Sequence, residues 1–333
     1  MTTDFLQQAH SRSSPVKAFV QAGRFLLRGN ADNKNEVDGT SSDLTNGLAS
    51  ASTWLPVWGL LIGIAYAGAF AIAWLWLGEY QRIRLAPMAI LLALDLGWFG
   101  YRPLEAAARV LLSWRTRGTA PMPMLKMSAH AISSDDHNSN NVVPNDIMTI
   151  LGPLFRVVVF VVLVVLIKYA LLLSLPKGET VWPADWRENL GLLYPSVIYR
   201  PLILMPIWGR WAVLLALTIG RVAPAGSQQL HVMTQGNSQR LQMMAQGSSL
   251  RAVLLAWLAI TALTIIYCSP DRHHISTSLL ISLASLVVAY LASFALSRRF
   301  GGQTEASVLA VGGIVELAFL LIYLPIARDI YWY

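Results

Sequence analysis

Long apolar runs alternate with polar breaks along this chain. Runs near 54–78, 85–108, 151–175, 197–219, 252–268, 275–296 and 306–327 carry few charges. Most approach or exceed the roughly 20 residues that a helix needs to cross hydrocarbon at about 1.5 Å per residue. The pattern predicts an all-α, polytopic membrane helical bundle with about seven transmembrane helices, occupying residues 54–333. Ahead of it, residues 1–53 form a polar N-terminal segment. Within that segment, 15–28 set Val16, Phe19, Val20, Phe25, Leu26 and Leu27 against Lys17, Arg24 and Arg28. This is the pattern of a short amphipathic helix lying on a membrane surface or packing on a neighbouring loop. Residues 29–53, rich in Asn, Asp, Gly and Ser, read as a linker. Two polar stretches, 114–149 and 221–250, are long enough to be functional loops.

Composition agrees with lipid as the solvent. Of 333 residues, 55% are hydrophobic and 13% charged, with a mean hydropathy of +0.51, more apolar surface than a soluble globule hides. The single cysteine, Cys268, excludes an intramolecular disulfide and a thiolate metal site of its own. No apolar stretch followed by a small-residue cleavage site occurs near the start, so the first span is expected to direct insertion. The net charge of +7 is spread over loops rather than gathered on one face, which argues against nucleic acid. Lys and Arg concentrate in the N-terminal segment, in both long loops and at Arg298–Arg299. The positive-inside rule then puts the N-terminus in the cytoplasm, as expected for the inner membrane of a bacterium. Trp54, Trp76, Trp182, Trp186, Tyr331 and Trp332 sit at span edges as an aromatic belt. Gly59 with Gly63, and Gly97 with Gly100, have the spacing of close helix contacts. His273 and His274 beside Asp271 read as interfacial residues rather than metal ligands.

Ionisable residues inside spans are expensive, about 2.5–3.5 kcal/mol each on insertion scales, and are usually paired or line a cavity. Counting from the cytoplasmic end of each run puts Asp95 and Lys168 at similar depth, about 20–24 Å. Arg210 and Glu316 both lie about 15 Å in. Glu105 and Arg156 fall near the cytoplasmic boundary. Three pairings are expected from depth alone. They would fix helix order or line a polar cavity between spans two, three, four and seven.

Several stretches together resemble one family. Arg298 to Thr304 reads RRFGGQT and precedes an apolar helix carrying Glu316; Phe19 to Arg28 reads FVQAGRFLLR; Leu55 to Gly68 reads LPVWGLLIGIAYAG. With Ile147–Met148 leading to Leu166–Lys168, and Arg200 to Met205, these are similar in order and spacing to cobalamin synthases, the membrane-bound adenosylcobinamide-GDP ribazoletransferases. The resemblance implies a transferase that joins adenosylcobinamide-GDP to alpha-ribazole or its phosphate with magnesium and releases GMP. It also implies an aspartate-rich turn, D-G-x-A-D-x-x-D-G, at the cytoplasmic end of a span, whose oxygens suit magnesium.

Here the corresponding stretch reads RPLEAAARV. Arg102, Ala106 and Arg109 occupy the aspartate places, leaving Glu105 as the one oxygen ligand. Ile150, Leu151 and Gly152 stand where the family has D-S-R, and Glu305–Ala306 stand for its Gly-Asp. A lone carboxylate holds magnesium poorly, because the ion keeps its waters. Arginine forks can instead contact phosphate without a metal, or the same arginines can serve as topogenic charges. The candidate ligand-binding residues are Arg102, Glu105, Arg109, Arg156, Gln303 and Thr304. Three outcomes stay open: a pseudoenzyme that keeps the scaffold as a binding or scaffold protein, an active transferase using Glu105 and Glu316, and a small-solute transporter. The absence of internal symmetry counts against the last.

Overall fold

The computed structural model describes residues 15–27, 50–78, 85–100, 110, 145–175, 198–222, 237–268 and 275–331. Its elements are α1 (Pro15–Leu27), α2 (Leu55–Ala73), α3 (Leu85–Leu94), α4 (Asn145–Leu173), α5 (Tyr199–Ile219), α6 (Asn237–Gly247), α7 (Leu250–Cys268), α8 (Ile275–Phe300) and α9 (Glu305–Tyr331). A 3-10 turn, Ser52–Trp54, leads into α2; π-helical turns at Trp74–Gly78 and Asp95–Gly100 extend α2 and α3. Five helices are long and apolar enough to cross a membrane: Ser52–Leu77, Tyr199–Ile219, Leu250–Cys268, Ile275–Phe300 and Glu305–Ile326. Two shorter apolar helices, Leu85–Gly97 and Val158–Leu173, lie at the second and third apolar runs. This is a helical bundle of an integral membrane protein, as the hydropathy pattern predicts.

The bundle is built around α5. Every residue from Tyr199 to Leu217 is buried, including Trp208 and Trp211, whose rings meet edge to face. A helix buried on all sides, as α5 is, occupies the middle of such a bundle. It packs most extensively against α2 and α9, and also against α7 and α8. The buried indoles are satisfied across helices: Trp208 Nε1 donates to Thr264 Oγ1 at 3.3 Å and Trp211 Nε1 to the carbonyl of Val253 at 3.1 Å. Away from α5 the outer faces carry exposed apolar side chains such as Leu163, Leu255 and Leu291, suited to lipid.

The α2–α5 contact depends on glycine. A Cβ on Gly63 would stand 2.5 Å from the Ile203 carbonyl oxygen, and one on Gly59 2.8 Å from Ile207 Cα. Both positions lack a side chain so that two backbones can touch, which in lipid is a main source of helix association. Gly97 differs: nothing lies within 4 Å of its Cβ position, so its spacing with Gly100 marks no close contact on the Gly97 side.

The amphipathic N-terminal pattern becomes α1, docked on the start of α2. Ala18, Ala22 and Leu26 are buried while Val16 and Val20 stay exposed. Phe19 stacks on Trp58 with ring centroids 4.8 Å apart and meets Trp54 edge-on, and Trp58 Nε1 donates to the Phe19 carbonyl at 2.8 Å. Thus α1 presents one face to the bundle and leaves two apolar side chains for the membrane surface. The stretch 221–250, polar in sequence, contains α6, held by buried Leu241 and Met244 one turn apart. Two anchors suffice because α6 packs against α5 and α9, a tertiary contact that local polarity does not announce. Trp182, Trp186, Trp332, His273, His274 and Asp271 lie outside the described residues, as does the side chain of Tyr331; Trp76, on the aromatic-belt pattern, is exposed.

Gly63→Leu is expected to force α2 away from α5 and destabilise the protein by at least about 1–3 kcal/mol, the range for overpacking. Gly68→Ala, where nothing lies within 4 Å, is expected to be neutral or slightly stabilising. Thermal unfolding of both variants in the same detergent checks this, and equal midpoints would disprove the close-contact role.

Candidate functional site: a buried charge chain and the Gly-Gly-Gln-Thr turn

Four ionisable side chains from four different helical segments meet inside the bundle. Lys168 on α4 is central. Its Nζ lies 2.7 Å from Asp95 Oδ2 and 3.2 Å from Glu316 Oε2. Glu316 Oε1 lies 3.9 Å from an Nη of Arg210 on α5. At the other end, the Tyr66 hydroxyl on α2 donates to Asp95 Oδ1. The series hydroxyl, carboxylate, ammonium, carboxylate, guanidinium alternates in sign and carries no formal net charge. All four charged residues are buried.

The helices make room for it. A Cβ at Gly209 would lie 2.5 Å from Glu316 Cγ, and a Cβ at Gly312, one turn before Glu316, would lie 2.9 Å from Val213 Cγ2. These glycines let α9 approach α5 closely enough to seat the carboxylate beside Arg210. Asp95 opens the π-helical turn Asp95–Gly100. Sequence reasoning missed Gly209 and Gly312; their signal was available as small residues adjacent to Arg210 and four before Glu316.

Depth counting matched Asp95 with Lys168 and Arg210 with Glu316, and the structure brings each of these pairs together. It also joins the two through Lys168, whose long side chain spans the difference in depth. Removing one member of a buried ion pair commonly costs about 3–5 kcal/mol, because the partner is left as an uncompensated charge.

The second assembly is the turn between α8 and α9. Gly301 has φ +67°, the left-handed conformation that ends a helix at low cost for glycine. The N–H of Gly302 then donates to the Ser297 carbonyl at 2.9 Å, closing a Schellman motif. Thr304 caps α9: Ser307 N–H donates to Thr304 Oγ1 at 3.1 Å and Thr304 N–H to Ser307 Oγ at 2.8 Å, a reciprocal cap of the capping-box kind.

Gln303 ties this turn to α5 and α8. Its N–H donates to the Arg221 carbonyl at 2.6 Å, its Nε2 to the Ser293 carbonyl at 3.1 Å, and its Oε1 accepts from Ser307 Oγ at 2.8 Å. A Cβ at Gly220 would collide with the Gln303 side chain. Gln303 and Thr304, both buried, therefore have polar atoms engaged in holding helix ends together.

Of the other candidates, Arg102, Glu105 and Arg109 lie outside the described residues. Arg156 lies on α4, with its side chain outside the described residues.

Comparison with protein families matches residues 156–324 to cobalamin-5-phosphate synthase. The chain belongs to that family. The match takes in Lys168, Arg210, Glu316 and the Gly-Gly-Gln-Thr turn, whereas Tyr66 and Asp95 precede it. No curated protein and no solved structure matches the chain.

The magnesium that the cobalamin synthase family implies needs several oxygen ligands. Among the described residues, the carboxylates of Asp95 and Glu316 are each committed to cations, and no group of three His, Cys, Asp or Glu side chains is disposed to hold a metal. The described residues do not fit a magnesium centre.

Lys168→Met is expected to destabilise the protein by about 3–5 kcal/mol. Adding Asp95→Asn should recover part of that loss, because Asp95 would no longer be charged while Glu316 keeps Arg210. A double-mutant cycle on thermal unfolding in detergent measures the coupling; additive effects would show that Lys168 does not act through Asp95.

Proposed function

We propose that this chain is a divergent cobalamin-synthase-like protein of a bacterial inner membrane, with a cytoplasmic N-terminus, whose spans present a phosphate-bearing precursor of the cobamide nucleotide loop. In this reading it keeps the family's scaffold without magnesium-assisted transfer. The observation that carries it is a contrast between two parts of one sequence. Residues 156–324 match the family, yet Arg102, Ala106 and Arg109 stand at the places of the aspartates that would hold the metal.

Chemistry supports binding over transfer. A phosphoryl-type transfer requires charge stabilisation at the reacting oxygens, which in this family the magnesium supplies. An arginine pair recognises phosphate through paired N–H donors and stays positive at any working pH. It can hold a pyrophosphate at a cytoplasmic helix end without a metal. The charge chain would then act at a distance, keeping α3 and α4 in register with α5 and α9.

The retained scaffold also motivates a second reading, an active transferase in which Glu105 contributes to a metal site. Purified protein given adenosylcobinamide-GDP, alpha-ribazole and magnesium separates the two. The expected result is binding of adenosylcobinamide-GDP, weakened by Arg102→Ala together with Arg109→Ala, with no GMP released and no complementation of a strain lacking cobalamin synthase. GMP formation that disappears in Glu105→Ala would establish the transferase instead. Solute movement into liposomes without binding of the cobamide precursor would support transport.

A further inference from the structure

Helices α7 and α8 are consecutive and packed together, joined by residues 269–274. The start of α7 and the end of α8 therefore lie at the same membrane surface. Arg251 occupies the first turn of α7 and Arg298 the last turn of α8, and both are exposed. Among the described residues neither forms an ion pair with a carboxylate.

Each arginine stands at the end of a lipid-facing stripe. On α7, Leu254 and Leu258 follow Arg251 at the third and seventh positions; on α8, Phe294 and Leu291 precede Arg298 at the fourth and seventh. Such spacings share one helix face, and all four apolar side chains are half-exposed. The opposite face of α8 is buried through Ser285, Ala289 and Ser293, so the stripe with Arg298 is the outward one. The result is an exposed apolar track on each of two packed helices, each ending in an arginine.

We propose that the outer faces of α7 and α8 form a binding site for an anionic phospholipid. Its acyl chains lie along Leu254, Leu258, Leu291 and Phe294, and its phosphate is held by Arg251 and Arg298. A zwitterionic lipid fits less well because its own cation opposes the guanidinium groups, whereas a net negative headgroup is attracted by about 1 kcal/mol per basic residue near the surface. Arg251 and Arg298 are exposed, whereas the members of the charge chain are buried, so the proposal does not rest on the proposed function.

The test uses full-length protein in neutral detergent, titrated with phosphatidylglycerol or phosphatidylcholine and read by native mass spectrometry and thermal unfolding. Phosphatidylglycerol is expected to bind and raise the melting temperature, while phosphatidylcholine does so only weakly. Arg251→Ala with Arg298→Ala should weaken phosphatidylglycerol binding about five-fold per arginine, the factor that corresponds to about 1 kcal/mol. Arg221→Ala, in a residue on neither stripe, should leave it unchanged, and Arg251→Lys with Arg298→Lys should retain most of it. Equal binding of the two lipids by the unaltered protein would overturn the proposal without any variant. So would an undiminished phosphatidylglycerol affinity in the double alanine variant, or inorganic phosphate alone reproducing the full thermal shift.

Discussion

In a hydrocarbon interior a charge survives only beside its opposite, and the contacts of Lys168 and Glu316 are where that constraint is met here. Each bridges two partners: Lys168 holds Asp95 and Glu316, and Glu316 holds Lys168 and Arg210. Because the partners sit on α3, α4, α5 and α9, satisfying the charges also fixes which helices are neighbours. The apolar surfaces of these helices would be content against lipid or against one another. Hydrophobicity alone therefore leaves helix order weakly specified, and the polar chain narrows it.

Close packing does the complementary work. Gly59 and Gly63 bring α2 onto α5, and Gly209 with Gly312 bring α9 onto α5. The second contact and the charge chain depend on each other, since the space left by Gly209 is where the Glu316 carboxylate sits. At the membrane surface the Gly-Gly-Gln-Thr turn plays a comparable part. Its left-handed glycine ends α8, its threonine starts α9, and its glutamine binds the turn to the end of α5. The conformational demands of this turn give a physical reason for its sequence even before any ligand is considered.

Membership of the cobalamin synthase family rests on residues 156–324, where both the charge chain and the turn have most of their members. A family scaffold carries its geometry more readily than its chemistry, because function resides in particular side chains placed on a fold. In this chain the helix-joining residues are present within the matched stretch, and the proposed loss of the metal site concerns Arg102, Ala106 and Arg109, which precede it.

The sequence by itself determined the helical, membrane-spanning class, because run length and the absence of charge are local properties that lipid reads directly. It also determined which charges lie deep enough to need partners, since depth follows from helical rise, and it singled out Gly59 and Gly63 by spacing. Only the tertiary structure decided that the Asp95–Lys168 and Arg210–Glu316 pairs are one chain, that Gly209 and Gly312 make its space, and that polar residues 237–247 form a helix under α5. Those facts depend on the lateral placement of helices far apart in the chain. Rise along an axis carries no information about rotation around it or about which neighbour stands beside it.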